Sequence, residues 1–254
     1  MRKTKIVMLE SIAAFGLALL LWEIAVHVFR VPIFILPPPS AVFQSAYVNA
    51  PHLVQHVAST VLGTSVSLIA AAGLGLAVGL LVGYSPTASR LLYPLLGGFH
   101  ALPMSAFIPI FVVWFGIGPT PKVLAGALIA FFPVVVNVVT GLRTIEPELW
   151  DMLKVSGATK GQIYRKVGIP RTMPYFFASL KVAAGGSFIG NVVGEMIASG
   201  SGLGYVMVIA TTSLNMPLAF SSLTILLILG MIIFMSFDVI ERIAAPWAFR
   251  GGQA

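Results

Sequence analysis

Apolar runs of about 20 residues, the length that crosses a hydrocarbon core, recur six times along this chain. They fall at roughly 7–29, 57–84, 91–116, 121–142, 173–198 and 217–243. A soluble domain averages about 25% charged residues, whereas this chain of 254 residues is 9% charged and 58% hydrophobic, with a mean hydropathy of +0.98. So little charge cannot clothe a water-facing surface, and lipid is the solvent that suits it. The sequence therefore predicts an all-α, polytopic membrane protein with six transmembrane helices.

The basic residues set the orientation, because cytoplasmic loops carry an excess of Lys and Arg. With the N-terminus inside, Arg2, Lys3, Lys5, Arg90, Arg143, Lys154, Lys160, Arg165, Lys166, Arg171, Arg242 and Arg250 face the cytoplasm. Arg30 and Lys122 face outside, and Lys181 lies within the fifth run. Both termini are then cytoplasmic. The net charge of +7 follows this sidedness and is no nucleic-acid footprint. The chain has no cysteine, which excludes disulfides and thiolate metal sites. Arg2, Lys3 and Lys5 before an apolar run resemble a signal peptide. The run continues to about Phe29 without a small-x-small cleavage site, so it reads as an uncleaved first span.

Between the first two runs, Leu36-Pro37-Pro38-Pro39 excludes helix, since each proline removes a donor and restricts its neighbour. Ser40 is placed to cap a short amphipathic stretch with Ala41, Val42, Phe43 and Tyr47, lying along the outer membrane face; an ordinary loop is the alternative. In the second run, Gly75 and Gly79 form a GxxxG pair on a glycine-rich face suited to close helix packing. The third run is broken near Pro103 and Pro109. Broken helices at membrane depth are buried or line a cavity, so His100 and Ser105 are pathway candidates, with a kinked packing helix as the alternative. Trp114 suits an interfacial belt. Asn137 is the polar residue deep in the fourth run. The fifth is the most polar, with Lys181, Ser187, Asn191 and Glu195. An acid within a membrane helix is a functional-site hypothesis, and Asn191 and Glu195 share a face. A pathway or gating role and a structural hydrogen bond to a neighbouring helix both remain open. Glu23 and His27, also four apart, read as an interfacial pair, because a metal would need a third ligand nearby. Ser199–Val206 reads as a flexible outer turn, without the Lys that a phosphate loop requires.

One stretch does not belong in lipid. Residues 146–171 hold Lys154, Lys160, Arg165, Lys166 and Arg171, with Glu146, Glu148 and Asp151. Pro147 suits a helix first turn, and the acids there favour the dipole. Leu149, Met152 and Leu153 make an apolar stripe. Gly157 is a natural stop, Thr159 is placed to cap a second short helix, Pro170 ends it, and Pro174 opens the fifth span. The prediction is two short helices about a glycine hinge at the membrane surface.

Asp151-Met152-Leu153-x3-Gly157, followed by Val167-x-Ile169-Pro170, resembles the E-A-A-x3-G-x9-I-x-L-P loop of permease subunits of bacterial ABC importers. The spacing is identical. Gly157 and Pro170 match, Asp151 stands for Glu, and Met152 and Leu153 depart from the usual alanines. LPPPSAVF, ALPMSAFIPIFVVWFGIGPTPKV and VVGEMIASGSGLGYV extend the likeness. They resemble the subfamily handling nitrate, taurine, alkanesulfonates and bicarbonate, which includes pyrimidine-precursor, riboflavin and aromatic-acid importers.

That resemblance implies a type I ABC importer permease fold in the bacterial inner membrane. A first helix and outer loop (1–56) precede a core of five transmembrane helices (57–254) containing the loop 146–171. Two copies form the pathway. Each is driven by a separate ATPase docked through Glu148, Asp151, Met152, Leu153, Ser156, Gly157, Ala158, Thr159, Lys160, Gly161 and Pro170, and a periplasmic or lipid-anchored binding protein delivers cargo. The expected cargo is a small anion (sulfonate, nitrate, bicarbonate or aromatic acid) or a vitamin precursor. The chain has no Walker motif, so ATP and Mg belong to the partner, and no catalysis, metal, cofactor or nucleic acid is expected of this subunit. The rival reading is a self-sufficient secondary transporter or channel, which would show inverted repeats or paired intramembrane charges; neither is evident. An intramembrane protease using Ser201 and His100 lacks a nucleophile motif.

Overall fold

The computed structural model describes residues 2–100 and 102–244, without the side chains of 2–9, 11, 12, 93, 100 and 242–244. Arg2, Lys3, Lys5, Arg242 and Arg250 of the orientation argument, and the His100 imidazole, therefore lie outside the described side chains. Within the described residues the secondary structure is wholly helical. It consists of α1 (Arg2–Val28), α2 (Pro39–Val48), α3 (Ala50–Tyr84), α4 (Pro86–His100), α5 (Ile108–Phe115), α6 (Pro119–Leu142), α7 (Pro147–Val155), α8 (Lys160–Ile163), α9 (Ile169–Ala198), α10 (Leu203–Thr212) and α11 (Met216–Ala244). A 3₁₀ turn at Met104–Phe107 leads into α5, and a π turn at Tyr164–Gly168 joins α8 to α9.

Four rods are long and apolar enough to cross a membrane: Ala50–Tyr84, Pro119–Leu142, Lys160–Ala198 and Met216–Glu241. Pro86–Phe99 and Met104–Phe115, bent by 91°, make a fifth crossing if taken as one span. Pro103 flanks that bend, whereas Pro109 sits in the first turn of α5 and breaks nothing. The described apolar part of α1, Ala13–Val28, is shorter than a span.

Small residues bring the central helices together. A Cβ on Gly75 or Gly79 would lie 2.7 Å from Val134 or Val138 of α6, and one on Gly83 would overlap Leu142. In lipid, association comes from such close packing rather than from excluding water. The paired numbers rise together, so α3 and α6 run parallel. Between α6 and α9 they run oppositely: Gly141 meets Thr172, Gly126 meets Gly190, and Lys122 meets Gly194. Helix α11 is antiparallel to α9, with Phe188 against Gly230 and Lys181 bonded to Asp238. One end of the bundle therefore gathers the C-terminal ends of α3, α6 and α11, the start of α9, and the α7–α8 segment. The apolar core lies between α3, α6 and α9, around Leu68, Ala71, Ala130, Val134, Val138, Ala183 and Ala184.

Several local expectations are corrected. The second run begins two turns early, at Ala50, because Pro51 occupies its tolerant first turn. Ser40 does not cap α2. Pro38 holds the cap position, and the Ser40 hydroxyl and N–H both donate to Glu23. Ser199–Val206 is not one flexible turn, since from Leu203 onward it is α10 with Leu203, Gly204 and Val206 buried. Pro170 does not end a helix. It sits in the first turn of α9, and Pro174 is inside that helix, because the wide π turn carries the chain on without a stop. Lys122, placed outside by the charge count, is 1% exposed within the bundle.

Candidate functional site

The segment 146–171 folds as two short helices about a glycine. Pro147 is in the first turn of α7, with Glu148 beside it. At the other end Gly157 has φ of +84°, which any side chain would strain. Gly157 N–H donates to the Lys154 carbonyl and Ala158 N–H to that of Leu153. This paired pattern satisfies carbonyls that a helix end leaves open. Thr159 and Gln162 exchange hydrogen bonds in a capping box that starts α8.

Helix α7 buries none of its residues. Met152 is 58% and Val155 91% exposed, apolar side chains that water does not favour. Glu148, Asp151, Ser156, Lys160 and Gly161 are exposed too, with Leu153 and Ala158 half-buried. Leu153, Ser156, Gly157, Ala158, Gln162, Ile163, Lys166 and Val167 line an open groove of about 310 Å³ between the two helices. Arg171 holds the Thr144 carbonyl at 3.3 Å and lies 3.8 Å from the exposed Glu146 carboxylate. An exposed pair of that kind contributes little by itself. The geometry can present an apolar knob and a groove to another protein at the shared end of the bundle.

At the opposite end of these helices lies a buried polar cluster. Glu195 is fully buried, and its carboxylate accepts four hydrogen bonds. Oε1 receives Lys122 Nζ and Asn191 Nδ2, each at 3.1 Å, and Oε2 receives the Thr60 hydroxyl at 2.9 Å and Gly204 N–H at 3.1 Å. Lys122 Nζ also donates to the Ser59 hydroxyl at 2.8 Å. The Gly202 and Leu203 N–H groups donate to His56 Nδ1 and the Thr60 hydroxyl, each at 3.0 Å. The first N–H groups of a helix have no partner within it and attract negative charge. Here α3 and α9 supply the cap of α10 in trans. Gly202, with φ of +105°, leaves room for the Glu195 carboxyl group, which any Cβ would overlap.

The six residues expected along a pathway are not gathered in one place. Asn191 and Glu195 meet in the buried cluster, where Asn191 Oδ1 presses on Gly63 and has no hydrogen-bond partner among the described residues. Ser187 and Asn137 bond the carbonyls of Ala184 and Pro133 within their own helices. Ser105 is exposed on the 3₁₀ turn. Paired charges inside the helices, not evident in the sequence, do exist. Besides Lys122–Glu195, Lys181 reaches Asp238 at 2.6 Å and lies 4.5 Å from the Phe234 ring centroid. Sequence reasoning missed His56, Ser59, Thr60 and Lys122 as partners. A signal for two of them was present: His56, Thr60, Gly63, Ser67 and Ala71 recur at three and four residues, as a helix–helix stripe does.

A bundle of apolar helices, parallel and antiparallel, with an exposed helix–glycine–helix segment at one end, is the architecture of a polytopic membrane protein. Comparison with known families agrees. Residues 71–250 match the family described as binding-protein-dependent transport system inner membrane component, and the chain belongs to it. It is 33% identical over 235 residues to a probable ABC transporter permease protein of Haemophilus influenzae, covering 92% of this chain and 96% of that one. It is 34% identical over 234 residues to the riboflavin transport system permease protein RibX of Chloroflexus aurantiacus (91% and 87% covered). Identity to the formylaminopyrimidine transport permease protein ThiX of Halalkalibacterium halodurans is 30% over 239 residues (94% and 96%). A solved chain of the inward-facing MetNI methionine ABC transporter, in its native crystal form, superposes with a TM-score of 0.65 at 25% identity, covering 76% of this chain and 95% of that one. The protein is thus a permease subunit of an ABC importer, a non-catalytic, multi-pass component of the inner membrane.

Proposed function

We propose that two copies of this chain form the translocation pathway and that each is driven by a separate ATPase seated on residues 146–171. The observation that carries this is the exposed apolar pair Met152 and Val155 on a helix without a buried residue, beside the groove at Gly157. Glu148, Asp151, Leu153, Ser156, Ala158, Thr159, Lys160 and Gly161 complete that surface, and Pro170 starts the helix that leaves it. ATP and Mg bind the partner, and a binding protein delivers cargo to the far face. Six crossings with both termini cytoplasmic fit the charge count and the directions of the helices, with α3, α6 and α11 running one way and α9 the other, the bent α4–α5 pair as the crossing between α3 and α6, and α1 as the first crossing. Residues 1–56 then form an added helix and outer loop, and 57–254 the core.

The cargo is a small organic or inorganic anion or a vitamin precursor. Identities of 34% and 30% to permeases named for riboflavin and formylaminopyrimidine, against 27% for those named for taurine and aliphatic sulfonates, favour the heteroaromatic class. Ser105, Asn137 and Ser187 are the pathway candidates with side chains outside the Glu195 cluster, Ser187 being buried on its own helix. His100 joins them on its position at the end of α4.

The test is co-expression with a cognate ATPase and binding protein. Gly157→Pro and Leu153→Asp should insert normally, yet lose ATP hydrolysis stimulated by the loaded binding protein. Unaltered hydrolysis in both variants would sink the assignment of this loop.

A further inference from the structure

Helix α7 reaches the bundle through two joints, residues 143–146 before it and 156–159 after it, and buries nothing itself. A push on such a helix would swing it about those joints unless a side chain braces it. Trp150 supplies the contact: its ring meets that of Tyr164 with centroids 5.4 Å apart and planes at 77°. Tyr164 in turn meets Tyr84, the last residue of α3, at 5.0 Å and 66°. Both are edge-to-face arrangements, the favoured aromatic geometry. Lys154 Nζ lies 5.6 Å from the Trp150 centroid, and Lys160 Nζ lies 4.7 Å from that of Tyr84. Cations at those distances are drawn to the ring faces.

Tyr164 also makes a directional bond. Its hydroxyl donates to the Gly83 carbonyl at 3.1 Å. That carbonyl belongs to the last turn of α3, where C=O groups have no partner within the helix. Finally, Tyr164 opens the π turn through which α8 continues into α9. Turns of this kind recur at functional sites. One residue therefore touches α7 by stacking, α3 by stacking and a hydrogen bond, and α9 by chain continuity.

We propose that Tyr164 is a positioning residue that braces the platform against α3 and α9, so that displacement of α7 moves the bundle instead of swinging the helix. This rests on the reading of 146–171 as the ATPase contact, and the two fail differently. Docking needs the outer surface of α7, whereas transmission needs its inner face on Tyr164.

The experiment uses the full complex with its ATPase in lipid vesicles. The chain has no cysteine, so Leu214→Cys, in the exposed turn between α10 and α11, carries a single spin label per copy. The distance between copies is measured with and without ATP, Mg and vanadate. With Tyr164 present, the added nucleotide shifts the distance. In Tyr164→Ala the shifted fraction falls about fivefold or more, the loss expected of two aromatic contacts. The ATPase still co-purifies and still hydrolyses ATP. Trp150→Ala removes the same stack from the other side and gives the same loss, while Tyr164→Phe keeps the rings and most of the shift. A full shift in Tyr164→Ala overturns the inference. So does loss of the ATPase from that variant, which would make Tyr164 a docking residue, and so does an absent shift in the parent complex. A parent chain that fails to retain the ATPase sinks the loop assignment itself, and the inference with it.

Discussion

Removing either member of the buried Lys122–Glu195 pair should destabilise the subunit, and the two single changes should be unequal. Breaking a buried ion pair from one side costs about 3–5 kcal/mol, because the remaining charge is left uncompensated. In Lys122→Met, the Glu195 carboxylate keeps Thr60, Asn191 and the Gly204 N–H at the start of α10. Three donors and a helix N-terminus hold much of its charge, which places this variant near 3 kcal/mol on that scale. In Glu195→Gln, the Lys122 ammonium keeps the Ser59 hydroxyl, and the new amide points N–H groups at existing donors. That variant belongs near 5 kcal/mol. Taking about 2–4 °C per kcal/mol for a chain of this size, the midpoints should fall by roughly 6–12 and 10–20 °C. The assay is heating in detergent followed by fluorescence-detected size-exclusion chromatography. The double variant Lys122→Met/Glu195→Gln has no orphan charge and should recover most of the larger loss. A double variant no more stable than Glu195→Gln would refute the account, because the cost would then come from shape and not from charge. Midpoints unmoved in both single variants would refute it too.

Other positions give sharper contrasts. Gly79→Val forces a side chain into Val138, where even a Cβ stands 2.7 Å away, and should abolish a monodisperse peak; Gly73→Ala, with nothing within 4 Å, should leave the elution profile unchanged. Gly202→Ala puts a methyl group onto the Glu195 carboxyl in a left-handed backbone and should lower the same midpoint as much as loss of the ion pair does. Gly157→Ala should cost about 1–2 kcal/mol at its left-handed position, read as weaker stimulation of ATP hydrolysis by the loaded binding protein with insertion intact. Thr159→Ala removes the capping box and about 1 kcal/mol of helix stability, and hydrogen exchange over 160–163 should accelerate accordingly.

What could be read from the sequence was what lipid and helix termini enforce locally. Hydropathy gave the rods, since a span of α3 or α6 can satisfy its backbone within itself. Gly157 and Thr159 act over three or four residues, and both formed the predicted cap. Gly75 and Gly79 were legible as a packing face because their spacing is helical, and the structure adds that α6 is what they face. Apart from the local misreadings at Pro51 and Pro170, the failures share a cause: each needed a partner elsewhere in the chain. Ser40 looked like a cap and instead binds Glu23, 17 residues earlier. Lys122 counted as an outer-face charge because a sequence gives depth only by position in a loop, and Glu195 is 73 residues away. The glycines at 202 and 204 read as looseness. In place they are the opposite, since only residues without a side chain let the start of α10 close over a carboxylate.

The same distinction separates the two ends of the bundle. At the far end Lys122, Glu195, Thr60 and His56 are bonded to one another, to neighbouring side chains or to backbone, with the Asn191 Oδ1 left without a hydrogen-bond partner among the described residues. At the platform end Met152 and Val155 are exposed, with a groove beside them. Exposed apolar side chains on a helix with no buried residue have no folding role to explain them. The proposed partner would cover them, and it would push on a helix braced by the Trp150–Tyr164 ring stack. Asn191 and Glu195, which first drew attention as pathway residues, thus tie α9 to α3, α6 and α10, while the proposed docking region is marked by surface the fold leaves uncovered.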